Sequence, residues 1–189
     1  MRTASSRTAR TRGATAGARS DLTLASRTLP VFGHVRLAAS AQGLCAIALV
    51  DWHDPELWLS QWGDAPRTTG LTPHLERAFS ELEQYARQRL TRFTVPLDLG
   101  PLPTFTAQVL STLRALRYGQ LTSYRGLAEA AGSPRAARAV GQAVGRNPLP
   151  VMIACHRVIA ADGTIGGFGL GLDAKRRLLA IEGVELERA

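Results

Sequence analysis

The chain has 189 residues, of which 45% are hydrophobic, and a formal net charge of +8. This length and composition suit one domain, or two small ones that share an interface, with a real hydrophobic core. No apolar run reaches the roughly 18 residues that a membrane-spanning helix needs. We therefore expect a globular protein without a membrane partner.

The positive charge is concentrated at the N-terminus, where the first twenty residues contain five arginines and no acidic residue. Without them, 18 basic residues face 15 acidic ones, and the remaining net charge of about +3 does not by itself identify a DNA-binding protein. Residues 1–20 also lack apolar periodicity, so we expect a disordered basic tail. An organellar transit peptide has a similar composition and stays an alternative.

The first half of the chain predicts a small α/β domain. Residues 29–39 and 43–51 have the β-branched and apolar pattern of two strands joined by a turn. A helix over residues 72–90 begins at Thr72, which can act as its cap, and residues 93–97 predict a third strand that completes an antiparallel sheet. We place this domain at residues 21–97 and a Pro- and Gly-containing linker at residues 98–103.

From residue 104 onward the pattern becomes helical, with helices predicted over residues 104–116, 123–131 and 133–144. Thr104 and Ser123 can cap the first two, and Ser133 followed by Pro134 is a typical start for the third. Gly132 marks the turn between the second and third helices, so this segment has the length and punctuation of a helix-turn-helix.

The third predicted helix has an unusually smooth surface, because Arg135 and Arg138 stand among small residues that include Ala136 and Ala137. Such a helix can approach another molecule closely. From this segment alone, contact with nucleic acid and packing against neighbouring helices are equally good interpretations.

Only two cysteines occur, so the sequence predicts no disulfide framework and no CxxC zinc site, and it suits a reducing cytoplasm. Cys45 lies in the apolar segment GLCAIALV and is expected to be a small core residue. Cys155 is different, because two prolines and an apolar, strand-like run precede it and His156 and Arg157 follow.

A reactive thiol needs a base or a positive field nearby, and His156 is the candidate by sequence proximity. Neighbours on an extended strand point to opposite faces, so His156 would act through a bridging water or a local bend. A buried cysteine beside a satisfied histidine remains an equal alternative at this stage. We predict no metal site, since Asp51, His53 and Asp54 are better explained as a polar loop.

A longer set of ordered motifs resolves the alternative. The pattern NPxxxxxxCHRV is followed by GxxGGF, KRxLL and EG, and preceded by RYGQLTSYRGLAEAAG and SPRAARAVGQAVGRNP. In this order the motifs resemble the O6-alkylguanine-DNA alkyltransferase family, also called methylated-DNA–protein-cysteine methyltransferases. The resemblance runs from about Leu29 to the C-terminus.

The resemblance implies an α+β fold in two parts. The N-terminal part would be ribonuclease H-like, with a three-stranded antiparallel sheet. The C-terminal part, residues 104–189, would be mostly helical and winged-helix-like, and would contain the helix-turn-helix and the active-site strand.

The resemblance also assigns roles to individual residues. Cys155 would accept the alkyl group, His156 would be its water-mediated base, and Glu182 would orient and polarise His156. The remaining roles divide between the catalytic network, the DNA-binding surface and the pocket for the extruded base. The catalytic network would also include Asn147 and Tyr124. On the DNA-binding surface, Arg138 would fill the base stack, and the other contacts would come from Arg135, Ala136, Ala137, Ser123 and Tyr124. The pocket for the extruded base would be formed by Val158, Gly169, Phe168 and Arg157.

The implied activity is stoichiometric repair: the alkyl group of O6-alkylguanine moves from duplex DNA to Cys155, after minor-groove docking and nucleotide flipping. A thioether has no electrophilic carbonyl that water could attack, so each molecule would act once. No metal or organic cofactor is required. The partner would be double-stranded DNA that contains the lesion, bound by a monomer, with cooperative binding left open.

Three positions depart from the family pattern. Ala154 stands where the family usually has proline, which loosens control of φ before the nucleophile. The pair Leu116–Arg117 stands where the family usually has an apolar residue and a proline, so Arg117 is the second departure, and Leu170 replaces a small residue beside the pocket. These changes put the reaction rate and the tolerated alkyl size in question.

Other function classes fit less well. A noncatalytic sensor of alkylated DNA typically lacks the cysteine that Cys155 provides. A Cys-His hydrolase would not explain the smooth basic helix with Arg138. A transcriptional regulator would be expected to carry an extra cysteine module before Leu29, which this sequence lacks.

Overall fold

The computed structural model describes residues 21–52, 59 and 62–186. The predicted basic tail and two members of the rejected metal group, His53 and Asp54, lie outside the described residues. The elements follow in chain order: β1 (Leu22–Leu29), β2 (Gly33–Ala39), β3 (Leu44–Leu49), β4 (Arg67–Thr69), α1 (Pro73–Ala86), α2 (Thr104–Arg114), β5 (Thr122–Ser123), α3 (Tyr124–Ala130), α4 (Ala137–Gly145), a 3-10 helix (Cys155–Arg157), β6 (Val158–Ile159) and α5 (Leu172–Ile181).

The first half forms a four-stranded sheet in the order β3-β2-β1-β4. Both β1–β2 and β2–β3 are antiparallel, whereas β4 runs parallel to β1. The α+β class is therefore confirmed, but the detail of a three-stranded antiparallel sheet is wrong. The chain reverses between β1 and β2, where Val31 and Gly33 have positive φ of 70° and 68°, so the predicted strand over residues 29–39 is the end of one strand and all of the next.

The third predicted strand, residues 93–97, does not form. Only Leu97 makes an isolated bridge, to Leu44. The buried carboxylate of Glu81 on α1 accepts hydrogen bonds from the backbone N–H groups of Thr94 and Val95, at 2.9 and 3.1 Å. A side chain therefore satisfies the backbone donors that a strand would have offered to a neighbour.

Two of the four predicted caps are confirmed. The Thr72 hydroxyl accepts from the N–H of Leu75 at 3.3 Å, and the Ser123 hydroxyl accepts from the N–H of Gly126 at 3.0 Å. The prediction for Thr104 is wrong, because α2 already includes Thr104 and its preceding residue, Pro103, makes no side-chain cap.

The cap predicted at Ser133 is also wrong, because α4 begins at Ala137. The N–H of Ala136 donates to the carbonyl of Ser133 at 2.9 Å, so Pro134 occupies a turn before the helix. Gly132, at φ 71°, ends α3 as the left-handed residue, and the N–H of Ser133 donates to the carbonyl of Ala128 at 2.8 Å. The two helices of the predicted helix-turn-helix are thus present, with a longer turn.

A single hydrophobic cluster joins the two halves. It includes side chains from the sheet, from α1, and from the helices and turns of the second half: Val35, Leu37, Leu49, Phe79, Leu82, Leu110, Leu113, Leu149, Ile153 and Leu178. The backbone also connects the halves, because the N–H of Ile47 on β3 donates to the carbonyl of Pro148 at 2.9 Å. The sheet therefore supports the turn that precedes Cys155.

Among the residues that the structure describes, no helix has the length and apolar character needed to cross a membrane.

Candidate active site

The segment before Cys155 is a series of turns, not the predicted strand. The Asn147 side chain closes it by donating through Nδ2 to the carbonyl of Ile153 at 2.8 Å and accepting through Oδ1 from the N–H of Leu149 at 3.0 Å. Val151 has φ 74°, a conformation that is uncommon for a β-branched residue. The two prolines and this side-chain brace make the run compact, so its apolar character marks burial and not an extended strand.

Ala154 lies at the centre of a three-residue turn with φ −75° and ψ 63°. The N–H of Cys155 donates to the carbonyl of Ile153 at 2.7 Å, which closes an inverse γ-turn. The φ of Ala154 falls within the range that a proline ring would impose. Alanine therefore adopts here a φ that proline would also have, but without the ring that would fix it.

Cys155 begins the 3-10 helix and is 8% exposed. It lines a cavity of about 270 Å³, close to the smaller end of ligand pockets. The walls come from the start of α3, from α4, from the turns between α4 and Cys155, and from the loop before α5. The lining residues are Tyr124, Gly141, Val144, Gly145, Asn147, Pro150, Gly167, Phe168, Gly169 and Leu170. The predicted pocket residues Phe168 and Gly169, and the departure Leu170, thus lie beside the thiol.

His156 is fully buried, and its Nε2 lies 2.8 Å from Oε1 of Glu182 at the end of α5. Its Nδ1 is also buried and has no hydrogen-bond partner among the described protein groups. Burial lowers the pKa of His156, and the hydrogen bond and charge of Glu182 oppose this only in part. The resting imidazole is therefore neutral, with Nε2–H donated to the carboxylate and Nδ1 left as a base.

Glu182 is the centre of the network. Besides His156, its carboxylate accepts from Nε and Nη2 of Arg157, each at 2.8 Å, from the Tyr85 hydroxyl at 2.7 Å, and from the N–H of Gly119 at 2.9 Å. Burial by itself raises the pKa of a carboxyl group, but the hydrogen bonds from His156 and Arg157 and the charge of the Arg157 guanidinium outweigh it and hold the pKa of Glu182 far below its usual range. The carboxylate is permanently ionised at neutral pH.

Two predicted pocket residues are elsewhere. Arg157 does not line the cavity around Cys155, because its guanidinium is committed to Glu182 and to the carbonyl of Leu116, 2.8 Å from Nη1. Val158 is fully buried outside the cavity lining, and its carbonyl accepts from the ammonium of Lys175. The 3-10 turn rotates the side chain after His156 away from the thiol, which the strand expected at this position would not have done.

Lys175 is a buried residue that the sequence reasoning missed. Its ammonium donates to the carbonyls of Val158 and Ile165 and ties the loop that carries Phe168 and Gly169 to α5. Burial lowers its pKa to about 8, while the charge of Cys155 opposes the shift. The available signal was its spacing from Leu178 and Leu179, which puts a lysine on the apolar face of the KRxLL helix.

Burial raises the pKa of the Cys155 thiol, while the Asn147 side chain and the Lys175 ammonium act in the opposite direction. Burial raises the pKa of Tyr124 as well, and the charge of Cys155 would raise it further once the thiol is ionised, so the Tyr124 hydroxyl remains protonated. The site thus holds a protonated nucleophile, a neutral base and a phenolic proton donor around one cavity.

The predicted DNA-contacting residues differ in exposure. Arg135, in the turn before α4, and Arg138, on its first turn, are exposed, whereas Ala136 and Ala137 are half-buried. Ser123 is half-buried and caps α3 directly before Tyr124. Because Gly141, Val144 and Gly145 of α4 form a wall of the cavity, the helix that displays Arg138 also borders the chamber that holds Cys155.

Larger clefts occur away from the thiol. One of about 550 Å³ lies beside Arg92 and Arg114, and one of about 750 Å³ lies along β1 beside Arg27 and Arg36. No described residue that lines either cleft is a cysteine or a histidine. Among the described residues, no group of three or more His, Cys, Asp or Glu side chains is arranged to hold a metal ion.

Comparison with known proteins gives one consistent result. Residues 104–184 match the family model described as the 6-O-methylguanine DNA methyltransferase DNA-binding domain. The methylated-DNA–protein-cysteine methyltransferase of Mycolicibacterium paratuberculosis is 44% identical over 121 residues, which cover 62% of this chain and 72% of the relative. The Rattus norvegicus protein of the same name is 35% identical, with 80% and 78% covered.

Among solved structures, that of Mycobacterium tuberculosis OGT in complex with DNA is similar, with a TM-score of 0.73 and 32% identity. The match covers 85% of this chain and 93% of the solved one.

Proposed function

The chain belongs to the family of methylated-DNA–protein-cysteine methyltransferases, and from this membership we propose that Cys155 accepts the alkyl group from O6-alkylguanine in duplex DNA. Direct-reversal repair of DNA by alkyl transfer to a cysteine is the activity of the family. One observation carries the assignment to Cys155: its thiol lines a cavity whose adjoining His156 is buried against an ionised carboxylate. The other cysteine, Cys45, is fully buried, and within the described part of the chain its sulfur contacts the backbone carbonyl of Gly43 at 3.5 Å.

The chemistry is a displacement at the alkyl carbon. The proton of the Cys155 thiol passes to Nδ1 of His156, and the thiolate attacks the carbon of the alkyl group in line with the C–O6 bond. The S–C bond forms while the C–O6 bond breaks, and the electron pair leaves on the guanine. Tyr124, whose hydroxyl keeps its proton, lies on the same cavity and supplies hydrogen bonding to the departing base.

A water molecule is the most economical link between the thiol and the base. No hydrogen bond joins the Cys155 sulfur directly to the imidazole within the described part of the chain, yet Nδ1 is buried and without a protein partner. A buried polar nitrogen of this kind is normally satisfied by an ordered water. The Glu182 carboxylate stabilises the imidazolium that forms, as in other Cys-His-carboxylate arrangements.

DNA docks on the exposed side of α4. Arg135, Arg138, Gln142 and Arg146 are exposed along this surface, and glycines and alanines keep it slim, which suits a minor groove. A base inside the stack cannot reach the thiol, so the lesion must rotate out of the helix. Since α4 also forms a wall of the cavity, the extruded base needs to pass only the edge of this helix to reach the thiol. Arg138 then fills the position that the base has left in the stack.

The product is a thioether, which water does not cleave, so each molecule repairs one lesion. The transfer needs no cofactor, because the nucleophile, the base and the proton donor are side chains of this chain. A thiol that must stay reduced also fits a reducing compartment, and we place the protein in the cytoplasm on that ground.

Intact-mass measurement tests the proposal. The full chain is incubated with an excess of duplex DNA that contains O6-methylguanine. We expect a single methyl adduct per molecule and no further turnover. A protein that binds the lesion duplex but stays unmodified would instead be a sensor of damage, and the proposed transfer would be refuted.

The DNA-docking step is tested with Arg138→Ala, with Arg135→Ala as a matched control on the same surface. We expect Arg138→Ala to slow repair in duplex DNA by at least about tenfold, because the side chain no longer offsets the free energy of unstacking the base. The reaction with free O6-benzylguanine should be unchanged. Arg135→Ala should weaken duplex binding most at low salt and make the affinity less dependent on salt, because one phosphate contact is lost. Equal slowing of Arg138→Ala on duplex and free base would contradict the stack-filling role.

A further inference from the structure

We propose that Tyr85, on α1 of the N-terminal half, is a positioning residue for the alkyl transfer that acts by holding the Glu182 carboxylate against His156. The inference rests on the proposed function of Cys155 and adds a residue to it from the other half of the molecule. The described residues that line the Cys155 cavity all belong to the second half of the chain. Tyr85 would therefore be the direct contribution of the sheet domain to the reaction.

The contact is short and buried. The Tyr85 hydroxyl donates to Oε1 of Glu182 at 2.7 Å and lies 3.4 Å from Nε2 of His156. Its side chain is 1% exposed. Oε1 is the same carboxylate oxygen that accepts from His156. The Tyr85 hydroxyl therefore contacts the atom that orients the imidazole.

The direction of each proton follows from the partners. Glu182 is ionised and can only accept, so the single hydroxyl proton of Tyr85 is committed to Oε1. Burial and the negative charge of Glu182 raise the pKa of Tyr85, which keeps that proton in place. The tyrosine oxygen then turns a lone pair towards Nε2. Both neighbours of Nε2 are thus acceptors, which favours the tautomer with the proton on Nε2 and leaves Nδ1 free to receive the thiol proton.

The ring of Tyr85 has a separate role. It packs against Phe32, Phe93 and Tyr118 with centroid distances of 6.4, 5.3 and 6.0 Å. On α1 it continues the buried face formed by Phe79 and Leu82. A phenylalanine would preserve this packing, so packing does not explain why a hydroxyl stands here, and the hydroxyl can be removed without disturbing the core.

The charged and titratable groups around this point are few. His156 and Arg157 of the 3-10 helix, Glu182 at the end of α5 and Tyr118 before β5 face the hydroxyl, and Lys175 and Cys155 lie beyond the imidazole. When His156 takes up the thiol proton, the imidazolium meets the carboxylate and the tyrosine oxygen together. Removal of the hydroxyl leaves Oε1 with two of its three donors and weakens this stabilisation.

The test compares Tyr85→Phe with Tyr118→Phe. Tyr118 is a suitable match because its ring contacts Tyr85, but its hydroxyl donates to the backbone carbonyl of Ile181, 2.6 Å away, and not to the carboxylate. The alkylation rate of Cys155 by free O6-benzylguanine is measured against pH, which removes DNA binding from the readout.

We expect Tyr85→Phe to react about tenfold more slowly, the scale of one hydrogen bond to a charged group, and its rate to rise at a higher pH than in the unaltered protein. Tyr118→Phe should keep the original pH profile. In a Glu182→Gln background, Tyr85→Phe should cause no further slowing, because the hydroxyl acts through that carboxylate.

The outcomes are distinguishable. If the unaltered protein alkylates Cys155 but Tyr85→Phe has the same rate and pH profile, the positioning role is overturned while the proposed function stands. If both tyrosine variants slow equally without a pH shift, the effect is one of packing and the inference fails. If the unaltered protein alkylates Cys155 neither with free O6-benzylguanine nor with duplex DNA that contains O6-methylguanine, the proposed function itself fails.

Discussion

The two cysteines occupy regions that are built differently. Cys45 lies on β3 and is fully buried among Leu22, Ala46 and Trp62. Burial raises its pKa to about 11; the hydrogen bond with the Ser40 side chain opposes this shift, and the charge of Asp98 adds a smaller upward effect. Cys155 is nearly as buried, and burial raises its pKa too. The difference is that Cys155 faces a cavity and is followed by a histidine held by a carboxylate.

Burial therefore does not separate an inert thiol from a reactive one in this molecule. Reactivity requires a destination for the proton and room for the electrophile, and only the second region provides both among the described residues. In the sheet, the Cys45 sulfur contacts the carbonyl of Gly43 at 3.5 Å, which can only hold the proton in place. At Cys155, the neutral imidazole can take the proton away.

The largest effect should come from exchanging each thiol for a hydroxyl. Cys155→Ser should lose alkyl transfer completely, because a serine hydroxyl is a far weaker nucleophile at neutral pH. Cys45→Ser should retain the rate of the unaltered protein, with a free energy of unfolding reduced by about 1 kcal/mol for the buried hydroxyl. Rates on the lesion duplex and chemical denaturation check both. Alkyl transfer by Cys155→Ser would contradict the proposed difference in reactivity between the two cysteines.

The second-largest effect should come from Glu182→Gln. The substitution leaves the buried guanidinium of Arg157 without its anionic partner, and breaking such a pair costs about 3–5 kcal/mol. It also removes the charge that stabilises the imidazolium, so Cys155 should react more slowly even where the protein is folded. Urea unfolding and the rate with free O6-benzylguanine separate the two losses. An unchanged rate would show that His156 works without the carboxylate.

A smaller effect is expected from pH. The pKa of His156 is lowered in the folded protein, so below its unfolded pKa of about 6.5 the unfolded chain binds a proton that the folded one does not. The free energy of unfolding should fall with decreasing pH by at most about 1.4 kcal/mol per pH unit for this proton. Glu182, whose pKa is depressed, adds a loss in the same direction below about pH 4.5.

Urea denaturation between about pH 8 and pH 4 measures this slope, since the range covers the His156 effect below about pH 6.5 and the start of the Glu182 effect below about pH 4.5. His156→Gln cannot take up a proton and should flatten the upper part of the curve. A slope that survives in His156→Gln would assign the effect to another group.

The smallest effect should come from Ala154→Pro. The φ of −75° already suits proline, and the N–H of Ala154 makes no hydrogen bond among the described residues that the ring would remove. We expect a gain of about 0.4–1 kcal/mol in the free energy of unfolding, with the transfer rate unchanged within about twofold. A faster rate instead would show that the alanine leaves the thiol loosely held.

The sequence predicted the chemistry better than the local geometry. Cys155, His156 and Glu182 were identified by an ordered motif, and the structure brings the last two within 2.8 Å. The strand expected before Cys155 is wrong, because apolar runs with prolines indicate burial without specifying extension. Arg157 was misplaced because the rotation per residue in a 3-10 turn differs from that in a strand.

Contacts between residues far apart in the chain could not be predicted from the sequence. Tyr85 and Glu182 are 97 positions apart, and nothing local to Tyr85 distinguishes it from another aromatic on the apolar face of α1. In the sheet, residues 93–97 have strand composition, but the Glu81 carboxylate satisfies their backbone donors. Propensity fails where a distant side chain supplies the partner.

The most direct test of the account is to find where the transferred group resides. The full chain is reacted with duplex DNA whose O6-methylguanine carries an isotopically labelled methyl group, then digested, and the peptides are weighed by mass spectrometry. The account predicts the label on the peptide that contains Cys155 and none on the peptide that contains Cys45. Label on Cys45, or label that leaves the protein with continued turnover, would contradict it.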